Sequence, residues 1–338
     1  MFKVTISQAA TDIGGQDVQQ DNGVAIECVG DDGRMLVVAA VFDGHGKERG
    51  HHFSQLAVDT LKACVTDSHF KQRFDASPET VGREIFAKIT SACLESNCQQ
   101  LSLLGHEYVV ENGQIYPTMM SSIDHIAGGS TGTVVMVSDT GVVHTFNVGD
   151  SDAWFVAPGN ATRLNASHAP DSASEYERIH ATWPETGFFY HYQVKCGRAR
   201  RAAGSHIFPR RANFDGYYVK NVSGDYAAIM TVGVQSLAMT RSFADAPLRH
   251  GGLISEPSYS VHQATESSIV HVASDGYWDN IKDTEMASQR LRAVEKYGYN
   301  AEKLNRDWFL NTESDARANF GSGRDNMWGY TIVLEQSA

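Results

Sequence analysis

The residues of this chain best suited to chemistry are Asp43 and His45, in the turn that follows an apolar run. Residues 35–42 read Met-Leu-Val-Val-Ala-Ala-Val-Phe, which is typical of a strand buried on both faces, and the chain continues Asp43-Gly44-His45-Gly46. Glycine lets the backbone turn sharply and approach a bound group closely. A carboxylate held at a strand end, with an imidazole two residues on, suits a hard metal ion beside a proton donor. Taken alone, however, an Asp-Gly pair is more often only a polar turn.

Three more aspartates stand at comparable positions. Asp275 follows the strand-like residues 269–274, Asp325 lies in a Gly/Ser-rich loop before the last strand, and Asp21 precedes the first long strand. Carboxylates that meet at one sheet edge repel one another unless a cation lies between them. Oxygen donors without nearby His or Cys pairs favour Mg²⁺ or Mn²⁺ over zinc. Each aspartate alone is typical of a turn, but their joint occurrence predicts a site for divalent cations.

The composition is that of a globular enzyme. The chain has 338 residues, 42% of them hydrophobic and 20% charged, which is enough material for a large core. Its net charge of −12 argues against nucleic acid or an anionic membrane as a partner. The five cysteines show no CxxC spacing, so we expect reduced thiols rather than zinc ligands or disulfides.

The sequence also bears on where the protein works. The N-terminal residues lack the apolar core of a signal peptide, and no apolar run is long enough to span a bilayer. We therefore expect a cytoplasmic monomer without membrane contact, with a nuclear location left open.

The apolar pattern predicts strands in runs and helices in blocks. Short Val/Ile-rich segments between turns indicate antiparallel strands at 23–29, 34–42, 132–138, 142–148, 152–157, 226–232, 267–273 and 329–334. Apolar residues at helical spacing indicate helices at 53–66, 83–104, 283–296 and 301–319. This order favours an α+β fold, with helices packed outside the sheets, over an alternating doubly wound fold. The chain shows no internal repeat, and we expect one domain over residues 1–338.

Residues 178–236 differ from the rest of the chain. The apolar pattern fades there, aromatic residues cluster, and an otherwise acidic chain gathers basic side chains. The basic residues are Lys195, Arg198, Arg200, Arg201, Arg210 and Arg211. Two interpretations stay open, a solvated insertion, which the pattern slightly favours, and a binding surface.

Several sequence blocks together resemble one enzyme family. Val-Phe-Asp-Gly-His-Gly at residues 41–46 resembles the signature of the metal-dependent serine/threonine protein phosphatases, type 2C. Further blocks follow in the family's order: Gly-Gly-Ser-Thr-Gly at 128–132, Asn-Val-Gly-Asp-Ser at 147–151, Leu-Ala-Met-Thr-Arg-Ser-Phe at 237–243, Ala-Ser-Asp-Gly-Tyr-Trp-Asp at 273–279 and Asp-Asn at 325–326. Individual blocks are weak signals, but six in the expected order are very specific.

The resemblance implies a fold and a cofactor. The fold is a four-layer α-β-β-α sandwich of two antiparallel sheets flanked by helices, with a binuclear Mn²⁺ or Mg²⁺ centre at one edge. By position in the motifs, Asp43 would bridge both ions and Gly44 would contribute its carbonyl oxygen. Asp275 and Asp325 would bind one ion, and Asp21 would act largely through bound water.

The resemblance also implies a reaction, the hydrolysis of phosphoserine and phosphothreonine in phosphorylated protein substrates. Two cations lower the pKa of a bridging water and neutralise the phosphoryl oxygens during in-line displacement. His45 would protonate the leaving oxygen of the serine or threonine. Asp150 matches a position that binds a weaker third ion in some members.

The chain departs from the family pattern most clearly at position 16. The first block usually carries an arginine that binds the substrate phosphate, and here the residue is Gln16, which lacks the charge and the bidentate fork. The basic insertion suggests a replacement. We expect one of five arginines to reach the metal site and position the phosphate, unless they meet a protein partner or only solvent: Arg198, Arg200, Arg201, Arg210 and Arg211.

Smaller departures leave the predicted ligands in place. Asp152 stands where the family commonly has Arg, and Ala244 where Gly is usual. Residues 327–330 would lengthen the step into the last strand.

Two other functions stay open beside the phosphatase. A catalytically weak relative could serve as a phospho-binding or scaffolding module, which the loss of the arginine at position 16 slightly favours. A hydrolase of small phosphate esters is the third reading. The aspartates and His45 favour an active enzyme, because clustered carboxylates are costly to keep without a cation.

Overall fold

In this computed structural model, the described residues are 1–46, 49–119, 124–158, 160–166, 168–170, 172–183, 186–191, 227–232, 235–281 and 293–337. The strands are β1 (Phe2–Ile6), β2 (Ala10–Asp12), β3 (Asn22–Val29), β4 (Met35–Phe42), β5 (Gly44–His45), β6 (Tyr108–Glu111), β7 (Gln114–Pro117), β8 (Gly129–Ser130), β9 (Gly132–Ser138), β10 (Val142–Val148), β11 (Asp152–Ala157), β12 (Asn160–Arg163), β13 (Gly187–His191), β14 (Ala227–Val232), β15 (Gln235–Leu237), β16 (Phe243–Ala244), β17 (Ser258–Gln263), β18 (Ser268–Ala273) and β19 (Met327–Gln336). The helices are α1 (Gly50–Val65), α2 (Phe70–Ala76), α3 (Pro78–Leu103), α4 (Ala173–Thr182), α5 (Ala246–Arg249), α6 (Asp275–Trp278) and α7 (Ala301–Phe320).

Two antiparallel sheets form the centre of the molecule. One has the strand order β17-β10-β9-β4-β3, and the other has the order β1-β19-β18-β11-β12, with β2 paired to β19. A small three-stranded sheet, β16-β8-β5, lies beside them, and β6 and β7 form a separate hairpin.

The side chains of β4 show why the sheets stack. Successive residues of a strand point to opposite faces. Val37 and Val41 belong to the core between the two sheets, where they join Val270 of β18. Val38 and Phe42 belong instead to the core beneath the helices. Both faces of β4 are therefore buried, as its unbroken apolar sequence predicts.

Helices cover the outer face of each sheet. Phe53 of α1 and Ile85 of α3 pack on the β4 sheet. Leu304 and Trp308 of α7 pack on the other sheet, against Val333 of β19. The order helix, sheet, sheet, helix confirms the predicted four-layer α+β sandwich.

Most predicted elements agree with the structure to within a few residues. The helix expected at 83–104 begins earlier, at Pro78. Proline is well tolerated at this position, the first turn of a helix. The last strand begins at Met327, so the expected lengthening of the step before it is wrong. The predicted helix at 283–296 lies largely outside the described residues, as does the centre of the 178–236 insertion.

Two further expectations can be compared with the described part of the chain. No helix there is both long and apolar enough to cross a membrane. Cys28, Cys64, Cys93 and Cys98 are free thiols, and burial raises the pKa of Cys93 to about 12, while Cys196 lies outside that part.

Candidate active site

The pairing of β3 with β4 brings the first two aspartates together. Asn22 lies opposite Phe42 in this antiparallel pair, so Asp21, just before β3, and Asp43, just after β4, lie beside one another at the same end of the sheet. Asp21 is 2% exposed, and the Asp43 side chain lies close enough to act on the pKa of its carboxyl group. The carboxyl groups of Asp21 and Asp43 are thereby fixed at one edge of the sheet.

The pairing of β18 with β19 brings the other two aspartates, Asp275 and Asp325, together. Ala273 lies opposite Gly329, which places Asp275 of α6 beside the loop that ends at Asp325. A β-carbon at Gly276 would overlap the carbonyl oxygen of Asn326, so glycine is needed for this close approach. Asp275 in turn lies close enough to Asp43 for its carboxylate to raise the pKa of Asp43.

Side chains from the other sequence blocks hold these turns in place. Thr131 donates its backbone N–H to the Asp43 carbonyl at 2.8 Å, and its hydroxyl accepts the Asp43 N–H at 3.2 Å. The Asn326 side chain accepts the Gln20 N–H at 2.9 Å and donates to the Ile13 carbonyl at 2.6 Å. The Gly-Ser-Thr and Asp-Asn blocks therefore act as supports for the aspartates.

Several carboxyl groups lie close together in the aspartate cluster and act on one another's pKa values. Burial, followed by the carboxylates of Asp325 and Asp275, raises the pKa of Asp21 well above its ordinary value. Burial and the carboxylates of Asp21, Asp275 and Asp325 do the same to the pKa of Asp43. A cation placed among these oxygens would reverse both effects.

The donor set fits a hard divalent ion that keeps part of its water. Asp21 Oδ2 is buried and has no hydrogen-bond partner among the described residues. Asp325, by contrast, is exposed, so the cluster opens to solvent on that side. In the described parts of the chain, no three His, Cys, Asp or Glu side chains converge tightly enough to enclose an ion by themselves. Mg²⁺ usually binds through one or two carboxylates and retains several waters, which matches such an open arrangement.

His45 lies beside the cluster, next to a carboxylate that the sequence analysis did not single out. Its Nε2 is 2.6 Å from Oδ2 of Asp245. Burial lowers the pKa of His45, but the carboxylate of Asp245 outweighs it, with smaller contributions from Asp150 and Asp275, so that the pKa is raised overall. Nδ1 of the ring is buried without a hydrogen-bond partner in the described structure.

The remaining predicted residues are distributed as follows. Asp150 is 6% exposed and lies close enough to His45 to act on it electrostatically. Gln16 is exposed, in a loop whose Gly14 packs so tightly on the backbone of Asp325 that a β-carbon would overlap it. Gly44 is buried in β5. The predicted phosphate-binding arginines lie outside the described residues: Arg198, Arg200, Arg201, Arg210 and Arg211.

The departure at Asp152 has a structural explanation. Asp152 is 1% exposed and accepts a hydrogen bond from Arg163 Nε at 2.8 Å and one from Asn165 Nδ2 at 2.9 Å. Arg163, eleven residues later in the chain, thus supplies the guanidinium that pairs with the Asp152 carboxylate.

Comparison with known proteins identifies related chains. The family model of Protein phosphatase 2C matches residues 36–308. The chain is 26% identical over 277 residues to the Probable protein phosphatase 2C 72 of Arabidopsis thaliana, covering 80% of this chain and 69% of that protein. It is 24% identical over 273 residues to the Probable protein phosphatase 2C 75 of Oryza sativa subsp. japonica, covering 74% of this chain and 55% of that protein.

Solved structures share the fold. The serine-threonine phosphatase 2C from Toxoplasma gondii gives a TM-score of 0.57 at 16% identity, covering 99% of this chain and 95% of that one. The catalytic domain of the serine threonine protein phosphatase PstP, in complex with 2 manganese ions, gives 0.51 at 15% identity, covering 99% and 100%. These structures support the fold, and the family model spans most of the sequence. This chain belongs to the protein phosphatase 2C family.

Proposed function

We propose that this protein hydrolyses phosphoserine and phosphothreonine in proteins with the help of two Mn²⁺ or Mg²⁺ ions. The observation that carries the proposal is the convergence of four aspartates from two sheets on one edge, with a histidine beside them. A cluster that raises the pKa of its own carboxyl groups weakens the fold unless it binds something positive. Strongly perturbed carboxylates of this kind mark candidate functional sites.

In this proposal the aspartates hold the ions. Asp43 lies close to both Asp21 and Asp275, so it would be the carboxylate shared by the two ions. Gly44 would contribute its carbonyl oxygen, Asp275 and Asp325 would bind one ion, and Asp21 would act largely through bound water. Asp150, on the side nearer His45, is the candidate ligand of a weaker third ion.

The bound ions would lower the pKa of a bridging water and neutralise the phosphoryl oxygens. The protein's own contribution to bond cleavage comes from His45. As the water oxygen bonds to phosphorus, the bond from phosphorus to the seryl or threonyl oxygen breaks and leaves its electron pair on that oxygen. His45 gives this oxygen a proton, because an alkoxide is a poor leaving group, and the attacking water passes its surplus proton to solvent.

Phosphate binding without an arginine at position 16 is a second part of the proposal. Gln16 lies two residues after Gly14, which packs on the backbone of Asp325, and its side chain offers a neutral hydrogen-bond donor in that loop. We propose that one of the five insertion arginines supplies the missing charge. Single Ala substitutions of these residues test this, and the idea is wrong if none of them raises KM for a phosphopeptide.

The decisive experiment is Mn²⁺-dependent hydrolysis of phosphopeptides and of a generic aryl phosphate. Wild type should turn over both, and Asp275→Ala should not. Asp59→Ala, which changes an exposed aspartate of α1 far along the helix, is the matched control and should keep full activity. If the metal-dependent turnover of wild type were no higher than that of Asp275→Ala, the proposed enzymatic function would be refuted.

The same assay separates the other functions. Metal-dependent binding of a phosphopeptide without turnover would support a phospho-binding module, which the exposed Gln16 in place of arginine favours. Turnover of small esters but not of phosphopeptides would identify a hydrolase of small phosphate esters.

A further inference from the structure

A small three-stranded sheet brings His45 close to a distant part of the chain. Gly44 and His45 of β5 pair with Ser130 and Gly129 of β8, and β8 pairs with β16 on its other side. Asp245 is the residue that directly follows β16. Two residues that are 200 positions apart therefore meet across three very short strands.

The contact between them is directional and buried. Asp245 is 4% exposed, and its Oδ2 lies 2.6 Å from His45 Nε2. The Ser242 hydroxyl donates to the same carboxylate oxygen. The Asp245 backbone N–H donates to the Gly128 carbonyl at 3.0 Å, which fixes the main chain as well.

The backbone around Asp245 adopts a conformation that costs free energy. Ala244 and Asp245 have φ angles of +60° and +42°, in the left-handed region that side chains other than glycine, asparagine and aspartate rarely occupy. A β-carbon at Gly129 would overlap the Asp245 carboxylate, so this glycine leaves room for it. Strain of this kind persists only where the surrounding structure imposes it, and it is concentrated at functional sites.

We infer that Asp245 is a positioning residue that sets the orientation and tautomer of His45. This inference rests on the proposed function. A carboxylate accepts hydrogen bonds, so Nε2 carries a proton that it donates in a hydrogen bond to Asp245 and keeps throughout the reaction. Nδ1 has no other partner in the described structure, so in the imidazolium form it carries the second proton, which it gives to the leaving seryl oxygen and which leaves the neutral Nε2–H tautomer behind. The carboxylate acts only through His45.

The competing explanation is that Asp245 only anchors the chain at the start of α5. A purely structural residue would change stability and would change the hydrolysis of every substrate alike. If Asp245 is a positioning residue, the loss of kcat on its removal should differ between substrates, because it depends on how much the leaving group needs a proton. Phosphoserine peptides need the proton most, and an aryl phosphate with an acidic phenol needs it least.

The first experiment combines Asp245→Gly and Asp245→Asn with a series of leaving groups. Glycine fits the φ angle of +42° and removes the carboxylate, and asparagine tolerates that angle and keeps an acceptor oxygen. For Asp245→Gly we expect kcat on a phosphoserine peptide to fall about 100-fold with KM unchanged, within the range for general acid catalysis. On 2,4-dinitrophenyl phosphate the loss should stay below about threefold, and Asp245→Asn should recover part of the peptide activity.

A double-mutant cycle then tests whether Asp245 acts through the imidazole. In a His45→Asn background, Asp245→Gly should change kcat by no more than about twofold, because the group that it positions is gone. An equal loss on all leaving groups, or a full loss in the His45→Asn background, would overturn the inference. An inactive wild type would instead refute the proposed phosphatase itself.

A second measurement does not depend on activity. In ¹⁵N-histidine NMR spectra, the His45 resonances are assigned by comparison with His45→Asn. Neutral His45 should be the Nε2–H tautomer in wild type and should become a mixture of tautomers in Asp245→Gly. A wild-type ring that carries its proton on Nδ1 would contradict the assignment.

Discussion

Two groups of buried acidic side chains in this protein have pKa values that are shifted in opposite directions. Asp21 and Asp43 lie among other carboxylates, and burial together with these neighbours raises the pKa of both. Glu175 of α4 is also buried, at 2% exposure, but its pKa is lowered to about 2. Burial would raise the pKa of Glu175, and the hydrogen bonds and charge of Arg241 outweigh it.

The difference lies in what each group is given as a partner. Glu175 accepts hydrogen bonds from Arg241 Nη2 at 2.5 Å, from Arg178 Nη2 at 2.9 Å and from the Thr240 hydroxyl at 2.7 Å. Glu175 therefore links α4 by hydrogen bonds to Thr240 and Arg241. The principal charges acting on Asp21 and Asp43 are other carboxylates. Glu175 has its counter-charge built into the chain, and in the proposed function the aspartates receive theirs from bound ions.

The largest expected effect comes from removing charge at the centre of the aspartate cluster. Asp43→Asn should lower kcat on a phosphopeptide by at least about 10³-fold, because in the proposed function Asp43 is the carboxylate shared by the ions that activate the water nucleophile. The same change should leave the metal-free protein as stable as wild type or more stable, since it removes like-charge repulsion. Steady-state kinetics and urea unfolding in a chelator measure the two effects. A strong loss of metal-free stability would show that the cluster is structural.

The reverse pattern is expected at Glu175. Glu175→Gln should lower the free energy of unfolding by roughly 3 kcal/mol, because it leaves two partly buried guanidinium groups without their carboxylate. Urea unfolding measures this, with Glu177→Gln as the control, since Glu177 is exposed on the same helix. If both variants were equally stable, the Glu175 cluster would not be the structural counterpart of the aspartates.

The pH dependence of Glu175 has a definite sign. Its pKa is about 2 in the folded protein against an ordinary value of 4.5, so the folded state binds the proton less readily than the unfolded state. The contribution to stability is therefore complete above about pH 4.5 and is lost as the pH falls toward 2. Unfolding free energies measured across this window should converge for wild type and Glu175→Gln at the acid end. Curves that stay parallel would contradict this assignment.

Divalent ions should stabilise one cluster and not the other. At a free Mn²⁺ concentration of 100 times Kd, the free energy of unfolding should rise by about 2.7 kcal/mol for a single site. The gain should be preserved in Glu175→Gln and largely lost in Asp43→Asn. Thermal unfolding with and without Mn²⁺ measures it. An equal gain in Asp43→Asn would place the ions elsewhere.

The aspartate cluster could be predicted from the sequence because each member stands beside its own strand. Apolar runs and turn residues locate Asp21, Asp43 and Asp275, and antiparallel pairing then brings the strand ends together. The family resemblance added the roles. In the core, β4 was predicted correctly because its unbroken apolar sequence indicates burial on both faces.

Asp245 and Glu175 could not be found in this way. The strands β5, β8 and β16 have two residues each, too few to show periodicity, and they pair residues 200 positions apart. Glu175 lies in a polar helix whose partner, Arg241, was visible only as part of a sequence block. Long-range pairing of isolated polar residues leaves no local pattern.

The smallest expected effect concerns the segment that joins the two clusters. Thr240 and Arg241 bind Glu175, and Asp245 binds His45, so this short stretch connects the built-in ion pair to the candidate acid. Ala244 has a φ of +60° there, which favours glycine. Ala244→Gly should raise the free energy of unfolding by about 0.5–1 kcal/mol through relief of this conformation, partly offset by the entropy of the unfolded chain.

The matched control is Asn112→Gly in the β6–β7 turn, where φ is +50° and asparagine already tolerates the angle, so the gain should be smaller. Urea unfolding compares the two variants, and phosphopeptide kinetics reports on His45. Because Ala244→Gly keeps the Asp245 carboxylate, a stability gain with unchanged kcat would mean that the surrounding contacts, rather than strain at Ala244, hold Asp245 against His45. A stability gain with a lower kcat would mean that the strained alanine itself holds the pair in place.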